Sequence, residues 1–86
     1  MAYKVVKKNV LNPQIFLMEV EAPLVAKKAE PGQFIILRID EYGERVPFTI
    51  ADFDREKGTV TIIVQIVGKT TKDLAQVEEG EEILDF

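Results

Sequence analysis

The sequence contains no cysteine, histidine, serine or tryptophan. Each absence removes a class of chemistry. Without cysteine there is no disulfide, no thiolate nucleophile and no Cys-ligated zinc or iron–sulfur cluster within these 86 residues. Without histidine and serine there is no Ser-His-Asp or Cys-His relay and no histidine-bound catalytic metal. Binding and proton chemistry are left to Asp, Glu, Lys, Arg, Tyr, Thr and the backbone. Demanding redox chemistry would have to come from a bound cofactor. Long apolar runs are missing as well. No stretch approaches the roughly 18 apolar residues of a membrane-crossing helix. The start, from Met1 to Lys8, lacks the apolar core of a secretory signal. The expected location is the cytoplasm, with no membrane partner.

What remains is the composition of one folded domain. Hydrophobic residues make up 47% and charged residues 30%, which a disordered chain would not combine. A chain of 86 residues closes one modest core. The 15 acidic side chains outnumber the 11 basic ones, for a formal charge of −4. An acidic chain without clustered Lys and Arg is a poor match to phosphate backbones, so no nucleic-acid partner is expected.

Turn signals at Asn12-Pro13, Pro23, Pro31-Gly32, Tyr42-Gly43, Lys57-Gly58, Gly68 and Gly80 cut the chain into short segments. Strands are predicted over 5–11, 14–21, 33–40, 45–53, 59–67 and 82–86. The fifth alternates cleanly, with Val60, Ile62, Val64 and Ile66 on one face. Residues 23–30 read as a loop or irregular helical turn. One short helix is predicted over 70–77, with Thr70 or Thr71 as its N-cap and Asp73 in its first turn. The fold class expected is all-β: a small six-stranded antiparallel Greek-key barrel with one short helix, closed because closure removes exposed edges.

Three segments have the chemistry to bind a ligand. Glu30-Pro31-Gly32-Gln33-Phe34 turns tightly into an Ile-rich strand. Arg45-Val46-Pro47-Phe48-Thr49 puts a proline inside an apparent strand. Proline donates no ladder hydrogen bond, so Pro47 belongs on an edge, at a bulge, or where a ligand lies alongside. An aromatic ring, a hydroxyl and an Arg beside unpaired backbone suit a flat, polar-edged, anionic ligand; a plain edge strand is the alternative. Val67-Gly68-Lys69-Thr70-Thr71 ends a strand, turns at Gly and starts a helix near two lysines. Free N–H groups there suit an anion, although the P-loop pattern is missing and the segment read alone favours a capped structural helix with solvated lysines. No spacing among the carboxylates selects a hydrolytic pair.

Taken in order, Pro-Gly-Gln-Phe, Arg-Val-Pro-Phe-Thr and Val-Gly-Lys-Thr-Thr resemble the flavin-binding barrel of the ferredoxin–NADP reductase superfamily. The likeness is nearest to the dihydroorotate dehydrogenase electron-transfer subunit and to the reductase subunit of sulfide dehydrogenase and NADH-dependent reduced ferredoxin:NADP oxidoreductase. It covers essentially all of residues 1–86. It implies an FAD cofactor, and a parent enzyme passing electrons between NAD(P)H, FAD and an iron–sulfur partner. It implies Phe48 against the isoalloxazine ring, Thr49 near the reactive nitrogen, and Ile63, Val64 and Gln65 along the ribityl chain and ring edge. Gly68, Lys69, Thr70 and Thr71 would hold the pyrophosphate, and Arg45 with Val46 and Pro47 would complete the strand along the flavin.

Two positions depart from the family pattern. Val46 stands where the family has its Arg, with Arg45 one residue early; a bulge at Pro47 would restore its face. Thr70 stands where the pyrophosphate loop usually has a second Gly. Against the family's length, residues 1–86 read as the isolated barrel, lacking the NAD(P)-binding domain and the cluster ligands. Such a barrel is expected to have no reductase activity alone and to hold flavin weakly if at all. It would expose a face through which a homodimer could form. The competing expectation is a non-enzymatic small barrel, natural or engineered, serving as a scaffold or interaction module without flavin.

Overall fold

The structure is a computed structural model that describes residues 3–30 and 32–86. Among these residues six strands form: β1 (Tyr3–Asn12), β2 (Ile15–Glu21), β3 (Phe34–Leu37), β4 (Val46–Asp54), β5 (Thr59–Gln65) and β6 (Glu82–Ile83). Two short helices join them, α1 (Pro23–Lys28) and α2 (Lys69–Ala75). Of the two readings of 23–30, loop or irregular helical turn, the helical one holds: residues Pro23–Lys28 form a second helix. Pro23 opens it, at the first turn, where a missing N–H costs nothing. Ala26 then reaches the core with no exposed surface.

All strand pairs are antiparallel, in the order β3-β4-β5-β2-β1-β6. β3, β4 and β5 run as a meander, and β2 lies beside β5, which is the Greek-key arrangement. The two outer strands meet end to end: Arg38, just after β3, bridges Asp85, just after β6. Arg38 N donates to Asp85 O at 3.1 Å, and Asp85 N donates to Arg38 O at 3.0 Å. The sheet thereby closes on itself as a barrel.

The alternation in β5 decides the inside. Val60, Ile62 and Val64 are fully buried, with Phe16, Met18 and Val20 of β2 beside them in register. Leu37, Leu74 and Ile83 seal the core from β3, α2 and β6. The β4–β5 hairpin turns at Gly58, whose φ of +71° suits glycine alone. A Cβ there would also stand 3.1 to 3.2 Å from three carbons of Pro23. In the expected Pro31-Gly32 turn, Pro31 lies outside the described residues, and Gly32 has φ +83°. No helix among the described residues is long and apolar enough to cross a membrane.

Candidate functional site

β4 changes partners halfway along. Its first half pairs with β3: Leu37↔Val46, Ile36↔Pro47, Ile35↔Phe48 and Phe34↔Thr49. Its second half pairs with β5, from Ile50↔Ile62 to Asp54↔Thr59, with a bulge between Ile50 and Asp52. The ladder with β5 starts only at Ile50, so the two strands fork at Thr49 and Ile63. Val46, Pro47, Phe48 and Thr49 form one arm; Ile63, Val64 and Gln65, paired with β2 on their other side, form the other. Pro47 thus lies on an edge, as its missing N–H requires. The expected bulge at Pro47 is not there: the β3–β4 register runs unbroken through it. The irregularity falls at Ala51 instead, where it bends β4 away from β5.

Opposed residues share a face, so Phe34, Ile36, Pro47 and Thr49 face outward, while Ile35, Leu37, Val46 and Phe48 face the core. Phe48 is half-buried and packs against the core rim. Phe34, Pro47, Phe48 and Thr49 line a shallow apolar hollow of about 360 Å³ on the β3–β4 pair. On the other arm Ile63 and Gln65 are exposed. Val64 is wholly enclosed, so it can only support the strand that carries them.

Arg45 precedes β4, so the alternating faces of the strand do not bind it. Its guanidinium is largely exposed and reaches the Asp85 carboxylate, Nη2 to Oδ2, at 3.5 Å. The same oxygen lies 2.9 Å from Arg38 Nε. Arg38 Nε and Asp85 Oδ2 are shut off from solvent, and their contact is electrostatic rather than a directed hydrogen bond. Two guanidiniums against one carboxylate leave a local excess of positive charge, on the exposed Arg45.

The turn into α2 differs from its sequence reading. Gly68, not a threonine, is the N-cap. Thr71 is the third helical residue, and its hydroxyl closes the turn. It accepts from Val67 N at 2.9 Å and Gly68 N at 3.0 Å, and donates to Gly68 O at 3.0 Å. Thr71 is buried and its hydroxyl is engaged, so it shapes the loop. Thr70 is half-buried, and its hydroxyl donates to Glu44 Oε1 at 2.6 Å. Asp73 sits beyond the first turn, where it pairs with Lys69 at 2.8 Å. That hydrogen bond, then the charges of Asp73, Asp40 and Glu44, raise the Lys69 pKa above its ordinary value.

Between this turn and the loop before β4 runs a groove of about 480 Å³, lined among others by Asp40, Tyr42, Glu44, Lys69, Thr70 and Asp73. The tertiary structure therefore gathers the expected residues into two places: the fork, and this groove, with Arg45 following Glu44 in sequence. Asp40, Tyr42, Glu44 and Asp85 are the site neighbours that sequence reasoning missed. Only the Asp40–Glu44 carboxylates beside the Arg-x-Pro segment hinted at them.

No family model matches the chain. Relatives and solved structures do. It is 61% identical over 84 residues to an uncharacterized protein of Clostridium beijerinckii encoded in the adh 3' region, covering 98% of this chain and 28% of that protein. It is 43% identical to a homolog of the dihydroorotate dehydrogenase B electron transfer subunit from Thermotoga maritima, over 95% of this chain and 29% of the relative. The Desulforamulus reducens electron transfer subunit is 34% identical, over 93% of this chain and 32% of the relative. The chain thus spans about three tenths of the length of these relatives. A solved NADH-dependent reduced ferredoxin-NADP oxidoreductase superposes with a TM-score of 0.93 at 43% identity, over 95% of this chain and 30% of that one. The cytochrome b5 reductase domain of Ulva prolifera nitrate reductase shares the fold, with a TM-score of 0.71 at 16% identity, over 95% of this chain and 38% of that one. In sequence and in fold the chain is therefore similar to one part, about three tenths, of ferredoxin–NADP reductase-like electron transfer proteins.

Proposed function

We propose that this chain is the flavin-holding barrel of an electron-transferring oxidoreductase, with FAD as its cofactor. The fork between β4 and β5 carries the reading. Two strand edges that diverge beside an apolar hollow offer what an isoalloxazine needs. Its ring has apolar faces and a rim of hydrogen-bonding atoms, and backbone at a strand edge can serve such a rim. Phe34, Pro47 and Phe48 supply the apolar wall, and the exposed Thr49 hydroxyl supplies a donor beside it. Ile63 and Gln65 supply the opposite arm, with Val64 behind them. The exposed guanidinium of Arg45 and the Gly68–Thr71 turn supply the polar end, where the phosphates belong. Bound flavin would contribute one- and two-electron transfer, which none of this chain's own side chains can perform.

In the longer protein the electrons would pass between NAD(P)H, the flavin and an iron–sulfur partner, in the cytoplasm. A nucleotide-binding domain, or a second copy of the barrel, would pack on exposed apolar residues outside the fork, such as Ile36. These 86 residues contain no cysteine to ligate a cluster, and no NAD(P)H reductase activity is expected of them alone.

Titration of the 86-residue chain with FAD, read by quenching of flavin fluorescence, tests the assignment. Saturable quenching that weakens in both Thr49→Ala and Arg45→Ala is the expected result. No saturation at high micromolar FAD would overturn it and leave the barrel as a scaffold.

A further inference from the structure

The barrel is closed by its thinnest stave. β6 pairs with β1 at two positions, Tyr3↔Ile83 and Lys4↔Glu82. On its other side the strap 82–86 reaches β3 through one bridge, Arg38↔Asp85. Leu84 N donates there to Arg38 O at 3.0 Å and to Ile39 O at 2.9 Å. Within the strap only Ile83 is buried in the core. The β2–β5 ladder, by contrast, runs unbroken from Ile15↔Gln65 to Glu21↔Thr59.

The Asp85 side chain adds a second hold. Its carboxylate meets Arg38, just after β3, and Arg45, just before β4. These two arginines flank the 39–44 loop, so one carboxylate of the strap pins that loop at both ends. Arg38 Nε and Asp85 Oδ2 are shut off from solvent, so salt screens their attraction little. Between the two pins the loop and the strap stand apart. A cavity of about 280 Å³ separates them, and Asp40, Glu41 and Glu82 line it with like charge.

We propose that the strap and the 39–44 loop form a latch with Asp85 as its clasp: the two segments open together as one local unit, while the β2–β5 core stays folded. Opening the strap takes the carboxylate from both guanidiniums at once. Arg45 and the head of β4 are then released with the loop. The latch thus sets whether Arg45 is held in place beside the β3–β4 hollow. This inference stands on the seam alone and does not depend on which ligand the fork takes.

Native-state hydrogen exchange of the 86-residue chain, read by NMR at low urea concentrations, tests it. The seam amides of Arg38, Leu84 and Asp85 and the loop amide of Gly43 should exchange through one shared opening, well ahead of the β2–β5 ladder. Asp85→Asn should speed both sets about tenfold, between the scales of an exposed and a buried ion pair, and leave the β2–β5 amides unchanged. Arg45→Gln removes only the more exposed contact. It should speed both sets by the same smaller factor, about threefold, and it carries the test if Asp85→Asn fails to fold. Seam amides that exchange only together with the β2–β5 ladder would overturn the latch. So would a variant in which Gly43 and the seam amides respond by different factors, or in which the β2–β5 amides speed up as much as the seam.

Discussion

Replacing Thr71 by valine deletes one oxygen and little else. Valine matches threonine in shape, and their helix propensities are close. The deleted oxygen accepts two backbone N–H groups, from Val67 and Gly68, and its proton serves Gly68 O. Val67 and Gly68 are exposed, so water can recover part of the lost bonding, whereas Thr71 itself is buried. Losing a buried acceptor for two donors, partly compensated by solvent, costs about 1–2 kcal/mol. In a domain of this size that lowers the melting temperature by roughly 4–16 °C. Thermal unfolding followed by far-ultraviolet circular dichroism reads it directly. Thr71→Ser retains the hydroxyl and should recover most of the loss. A Thr71→Val protein as stable as wild type, or a Thr71→Ser protein as damaged as Thr71→Val, would refute the claim that this hydroxyl holds the turn.

Gly58→Ala should destabilise the barrel by about 2–3 kcal/mol, because a Cβ meets Pro23 at 3.1–3.2 Å at a backbone angle of +71° that side chains resist; urea denaturation measures it, and a neutral result would contradict the tight turn. Lys69 should titrate above the ordinary lysine value of 10.5 and fall back toward it in Asp73→Asn, as followed by NMR of the side chain. Because the folded pKa is the raised one, the pair's support for α2 is fully present below about 10.5 and is lost as pH rises through the folded value.

The strands with clean alternation were legible in the sequence. β2 and β5 carry their core residues at every second position, and local turn chemistry at Asn12-Pro13 and Lys57-Gly58 brackets them. Pro47 announced an interrupted ladder, by an edge, a bulge or a ligand alongside, because a missing N–H is a local fact wherever the chain runs. The helix at 23–28 was less legible: six residues with one buried alanine give too little periodicity to outweigh Pro23 and the lysines. Around α2 the threonines suggested a cap by type. The structure gives the cap to Gly68 and turns Thr71 back onto the loop, a choice made by packing Leu74 into the core.

Sequence alone determined the chemistry available: no thiol, imidazole or serine hydroxyl, an acidic balance, and short alternating strands that close one core. These are properties of residue type and near-neighbour spacing, and no partner is needed to express them. Only the tertiary structure decided where β4 parts from β5, that Asp85 reaches Arg45 across the barrel seam, and that Glu44 meets the Thr70 hydroxyl. Arg45 and Asp85 lie 40 residues apart, and Glu44 and Thr70 lie 26 apart. Such contacts exist only after loops close at an entropic cost that local sequence does not encode, repaid by the shared core that brings their ends together.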